Sequence, residues 1–198
     1  MIESHKLNLD TLAELSIEQN LPCNVRLATT DDIDKLIPVI NTAYMFENKG
    51  PRAFKKPDSL RVNEATLREA MNEGFLIVVS KLDEGEEHFL GCVHYKEIPP
   101  SEGSGTEQDT NAYFGMLAVD VNTQRQGLGT HLVCMAEAIA AFRGCERIEI
   151  QVVDKSTHLL DWYGRLGYQE FGRRDWNSPV LSEPRQLVLM EKIISASR

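Results

Sequence analysis

Hydrophobic residues recur along this chain in two rhythms, and the switches between them mark its elements. Leu9, Leu12, Leu15 and Ile17 stand among acidic residues over 7–19, a spacing that predicts a short amphipathic helix ending before Pro22. Residues 25–28 form a short apolar run that reads as a strand. Thr30, Asp31 and Asp32 then offer capping oxygens to a helix carrying Ile33, Leu36, Ile37 and Ile40 on one face, with a kink expected at Pro38. Lys49, Arg52, Lys55, Lys56 and Arg61, interrupted by Pro51 and Pro57, make 45–61 a basic loop. A second helix is predicted over 63–73, stopped by Gly74.

From there the rhythm shortens. The runs 75–81 and 88–98 are β-rich and flank the charged turn LDEGEE, so they predict a hairpin. A polar stretch rich in Gly, Ser and Pro over 99–111 reads as a loop leading into a strand over 112–121. A glycine loop at 124–129 precedes a helix of about 130–143, and Ile148, Ile150 and Val152 alternate in a strand over 147–153. A helix near 156–166 and strands near 168–173 and 186–193 complete the order. Hairpin, βαβ centre and hairpin together predict a mixed, mostly antiparallel central sheet flanked by helices, an α/β (α+β) fold. The expected division is a helical extension over 1–22, packing on the domain or on a second subunit as a homodimer, and one domain over 23–198.

Composition narrows the function. With 42% hydrophobic and 26% charged residues in 198, the chain is globular in character. Its net charge of -9 gives a general nucleic-acid-binding role no electrostatic footing. Cys23, Cys92, Cys134 and Cys145 lie far apart, without metal-ligand or disulfide spacing. The first residues lack a basic stretch followed by an apolar one, and no run approaches the ~18 apolar residues of a membrane span. A cytoplasmic location, or a nuclear-cytoplasmic one, is the expectation.

The segment 117–132 carries the chemistry. It runs from the apolar strand residues Leu117, Ala118 and Val119 through Gln124, Arg125, Gln126, Gly127, Leu128, Gly129 and Thr130 into a helix. Glycines at 127 and 129 let backbone N–H groups converge on an anion at a helix N-terminus, and the pattern suits phosphate. A Walker loop is absent. A dinucleotide GxGxxG fingerprint fails at Leu132, although Glu149 lies about 20 residues on, so a nicotinamide or flavin nucleotide stays open as an alternative.

The string 124–129, preceded by Leu-Ala-Val, resembles the Q/R-x-x-G-x-G/A motif of the GCN5-related N-acetyltransferase family. A second stretch, Leu160-Asp161-Trp162-Tyr163-Gly164-Arg165-Leu166-Gly167-Tyr168, is similar to that family's closing helix. The likeness runs from Val25 to Ile193 and is strongest over 113–172. It implies acetyl-CoA as co-substrate, its diphosphate on the amides of 124–130 and its pantetheine arm paired along 117–119 as an added strand. Two positions depart from the pattern: Ser156 stands where the family often has Asn, and Tyr113 where histone-type members have a Glu base.

An amine of pKa ~10.4 is neutral in roughly one molecule in two thousand at pH 7, and only that form attacks a thioester. The resemblance implies Tyr163 as the acid that protonates the departing thiolate and a backbone amide of 117–119 as the oxyanion donor. Packing of Tyr163 in the core is the competing reading. Tyr113, His94 and Glu97 are the candidates for accepting the amine proton. In such proteins the acceptor meets the loop around the first helices and the last strand pair. Here those hold Tyr44, Phe46, Glu47, Arg52 and Phe54, and Arg173, Arg174, Asp175, Trp176 and Arg185. The expected activity is acetyl transfer to a primary amine of a small molecule or peptide, with a non-catalytic acyl-CoA-binding module as the alternative.

Overall fold

The computed structural model describes residues 23–47, 60–99, 110–177 and 183–194. The helix expected over 7–19, most of the basic loop and the polar loop after Pro99 lie outside the described residues, as do the side chains of Phe46 and Glu47. The chain runs β1 (Asn24–Leu27), a 3-10 turn (Thr30–Asp32), α1 (Ile33–Glu47), α2 (Glu64–Glu73), β2 (Phe75–Asp83), β3 (Glu86–Ile98), β4 (Asn111–Val119), α3 (Leu128–Phe142), β5 (Arg147–Val153), α4 (Thr157–Arg165), β6 (Gln169–Trp176) and β7 (Arg185–Ile193).

Local chemistry fixes the early elements. Asp32 accepts the Thr29 amide at 2.7 Å and is clamped by Arg26 at 2.7 and 2.9 Å, which ties the start of α1 to β1. The same guanidinium holds Glu87 of β3. Helix α1 continues through Pro38. Asn63 and Thr66 exchange side-chain bonds with each other's amides and cap α2. The charged turn reduces to Glu84 and Gly85, both at positive φ, the mirror-image geometry that suits a right-handed hairpin.

Seven strands form one sheet in the order β1-β2-β3-β4-β5-β7-β6. Every neighbouring pair is antiparallel except β4 and β5. One face buries Ile77, Val93, Phe114, Ile148, Ile150 and Val152 under α3 and α4. The other packs Leu76, Val78, Cys92 and Ala118 against α1 and α2. Leu132, Met135 and Ile139 of α3 are fully buried, each contributing about 1.5–3 kcal/mol, so the loop ahead of this helix rests on a fixed support. No described helix is long and apolar enough to cross a membrane.

Candidate active site

The sheet opens at the one parallel junction among its described strands. Strands β4 and β5 pair at Ala112 with Ile148 and at Tyr113 with Glu149, and no later pair is registered. By contrast, β5 stays laddered to β7 from Arg147 to Val153. Beyond Tyr113, the edge of β4 that faces β5 therefore carries main-chain groups without a strand partner, a position that an extended chain can fill.

A bulge aims this edge. From Cys92 to His94 strand β3 advances two residues, while its partners on β4 run from Ala118 to Gly115. The extra residue falls beside Met116, whose φ of 47° lies in the left-handed region. Its carbonyl accepts the Cys92 thiol at 3.6 Å. At the end of β4, the Asp120 side chain receives the Asn122 amide and its carbonyl the Thr123 amide, both at 2.9 Å, which turns the chain into the glycine loop. Gln124 reaches back to the Val119 carbonyl at 3.3 Å.

Helix α3 begins at Leu128, two residues before the predicted start, with Gly127 as its N-cap at φ 86°. No side chain caps it, so the first amides of the helix face the gap without an intrahelical acceptor. A Cβ at Gly129 would lie 3.6 Å from the Trp162 ring and 3.9 Å from Val119, both walls of the gap, so a bare backbone is presented there.

The gap continues into a cleft of about 750 Å³, within the range of about 300–1,000 Å³ usual for small-molecule and cofactor sites. Leu117, Ala118, Val119, Gln124, Arg125, Gly127, Leu128, Gly129, Thr130 and Ser156 all line it, as do Tyr113 and Tyr163. Gln126 is exposed and does not line it. Ser156 is the N-cap of α4 and makes no side-chain capping bond, so its hydroxyl is not committed to the helix.

Tyr163 packs in the core and also reaches the cleft. It is buried, in contact with Phe114 and Tyr168 at ring distances of 6.1 and 5.7 Å, yet it also forms part of the cleft wall beside Trp162. Tyr113 lies along its own strand: a Cβ at Gly115 would meet its hydroxyl at 2.8 Å. Burial pushes the Tyr113 phenol up, with Tyr44 acting in the same direction and Arg61 and Arg174 opposing it. It stays protonated at neutral pH and can pass a proton only as a hydroxyl.

The other two proton acceptors lie elsewhere. His94 is buried under α2, where its Nε2–H donates to the Ala70 carbonyl at 2.9 Å, and burial lowers its pKa. Glu97 is ion-paired with Arg143 beside the end of α3. A β-strand's alternation and bulges decide which side chains enter a cleft, and proximity along the sequence did not reveal this. Among the described residues no Asp, Glu or His lines the cleft.

At the far end Tyr44 from α1, Arg61 from the loop before α2, Gln151 from β5 and Trp176 from β6 converge with Tyr113. Arg61 sits over the Tyr44 ring at 5.1 Å, and Arg174 donates to Gln151 at 2.9 Å. Gly115, Gln151 and Trp162 escaped the sequence reading as site residues; Gly115 preceding the bulged Met116 inside a strand was the usable signal for one of them.

Residues 41–168 match the model of the acetyltransferase (GNAT) family. Among solved structures, NAA60 from Arabidopsis thaliana in complex with a bisubstrate analogue superposes with a TM-score of 0.69 at 14% identity, over 87% of this chain and 99% of that one. The ribosomal-protein-S18-alanine N-acetyltransferase from Escherichia coli gives 0.65 at 17% identity, over 89% and 96%. The ribosomal-protein-alanine N-acetyltransferase from Brucella melitensis gives 0.62 at 18% identity, over 86% and 99%. At these identities the likeness is one of fold. No curated protein matches the chain by sequence.

Proposed function

Because the chain belongs to the acetyltransferase (GNAT) family, we propose that it moves an acetyl group from acetyl-CoA to the primary amine of a small molecule or peptide. The observation that carries this reading is the parting of β4 from β5 after two registered pairs, directly beside an uncapped helix N-terminus at Gly127. Such a gap offers an edge for a pantetheine arm and free amides for a diphosphate in one continuous surface.

Acetyl-CoA supplies an acetyl thioester. Amides of 124–130 hold its diphosphate, with Arg125 adding charge at the rim, and 117–119 align the arm so that the thioester carbonyl meets the open edge of β4. Amides of that edge stabilise the negative charge developing on the carbonyl oxygen. The amine nitrogen bonds to the acetyl carbon as the carbon–sulfur bond breaks. Tyr163 gives its phenolic proton to the departing sulfur and recovers one from solvent. The amine's surplus proton leaves through water and the Tyr113 hydroxyl.

Thermal shift with coenzyme A and acetyl-CoA, followed by thiol release over an amine panel, tests the proposal. Stabilisation by both ligands and acceptor-dependent release are expected. Stabilisation without release in any condition would favour a binding module, and stabilisation by nicotinamide or flavin nucleotides alone would remove the reading.

A further inference from the structure

The Tyr113 end of the cleft carries Arg61 in its wall and, just outside it on β6, Arg174 bonded to the lining residue Gln151. Whereas Arg26 meets Asp32, Arg147 meets Glu191 and Arg173 meets Glu170, Arg61 and Arg174 have no carboxylate partner among the described residues. Arg61 contacts an aromatic face, and Arg174 contacts a neutral amide. In a chain of net charge -9, two exposed guanidinium groups near one phenol, with no carboxylate on them among the described residues, offer a place that an external anion can fill. Both lie close enough to Tyr113 to oppose the rise in its pKa.

A plain alkylammonium would be repelled here, because two like charges disfavour the cationic form of a bound amine. An acceptor that brings its own anion turns this repulsion into an advantage. The anion pairs with the guanidinium groups, which form bidentate bonds to carboxylate and phosphate oxygens. The same field favours the neutral, nucleophilic state of the amine.

We infer that the acceptor is a primary amine bearing a carboxylate or a phosphate-like group, bound by Arg61 and Arg174 at the Tyr44, Tyr113 and Gln151 end of the cleft. This rests on the acetyl-transfer reading above. Arg61 and Arg174 determine specificity, and neither is required for the bond-making step.

Acetyl transfer to amino acids and aminoalkylphosphonates, each compared with the amino alcohol of the same carbon skeleton and corrected for neutral amine, provides the test. The anionic member is expected to show a kcat/KM about tenfold or more above its alcohol. Arg61→Gln and Arg174→Gln are expected to reduce that ratio about tenfold each, through KM for the acid rather than through kcat. Equal or better turnover of alcohols, polyamines or peptides without an anionic group overturns the inference, as does a ratio untouched by both variants. Acetyl-CoA binding without transfer to any member overturns it while leaving a coenzyme A site standing; loss of coenzyme A binding itself removes both readings.

Discussion

The two ends of the cleft are built on different principles. The end proposed for the cofactor comes from one continuous stretch, 117–130, and offers mostly main chain: a bulged strand edge, a left-handed Gly127 and the first amides of α3. The end proposed for the acceptor is assembled from side chains of α1, the loop before α2, β4, β5 and β6, with Tyr44, Arg61, Tyr113, Gln151 and Trp176 meeting only in the folded chain. Backbone recognition asks for particular conformations, which glycine spacing records locally. Side-chain recognition asks for convergence, which leaves no local record. One end of the cleft is therefore defined by backbone conformation, and the other by which side chains the fold brings together.

The largest expected effect probes the acceptor end. With no carboxylate or imidazole in the wall among the described residues, and with burial holding the Tyr113 phenol protonated, the described cleft wall offers nothing that titrates as a base near neutrality. The sign follows from the substrate: more of a primary amine is neutral as pH rises toward its own pKa. From pH 7 to 9 kcat/KM should climb about tenfold per unit, roughly a hundredfold in all, for an amine of pKa ~10.4. A plateau near pH 7 in the free-enzyme profile would show a base in the cleft and end the contrast in this form.

Next in size is the cofactor end. At φ 86° Gly127 holds a conformation that costs a side-chain-bearing residue roughly 1–2 kcal/mol, more for a β-branched one. Space is not the constraint, since an added Cβ would come no nearer than 3.7 Å to the His131 ring. Gly127→Val should therefore lower affinity for acetyl-CoA by tenfold or more, by turning the first amides of α3 away, with a loss of about 1–2 kcal/mol in stability. Isothermal titration against coenzyme A measures the first. Affinity equal to that of the parent would mean that the amides do not grip the diphosphate.

What the sequence made legible follows the same division. Strands and helices came from periodicity because burial on both faces of a sheet demands it: Ile148, Ile150 and Val152 are buried beneath α3 and α4. The loop 124–129 was legible through its glycines. Boundaries moved where backbone conformation overrode pattern, as at Leu128, where helix α3 starts inside the motif after the left-handed Gly127. The Met116 bulge was hidden, since a left-handed methionine has no sequence signature, and it shifts which side chains of β4 enter the cleft. Thus His94, only two residues from Cys92, belongs under α2 rather than beside the substrate. The meeting of Arg61 with Arg174 around Tyr113 depends on three separate elements, and no window of sequence contains it.

The smallest effect tests whether the two ends act through one residue. A Cβ on Gly115 would stand 2.8 Å from the Tyr113 hydroxyl and 3.1 Å from its ring, closer than atoms of this kind settle. The ring can yield, because its hydroxyl is the far end of a side chain, so Gly115→Ala should fold with little loss of stability while displacing the phenol. If that hydroxyl relays the amine proton, kcat should fall several-fold, within the lower part of the range for a positioned proton-transfer group. Affinity for acetyl-CoA should stay close to that of the parent, because the diphosphate cradle proposed at Gly127 and Gly129 lies on a different element. The informative control is Tyr113→Phe. If the phenol's displacement is the whole cause, adding Gly115→Ala to that variant costs nothing further, and a second, independent loss would assign the effect to the strand edge instead.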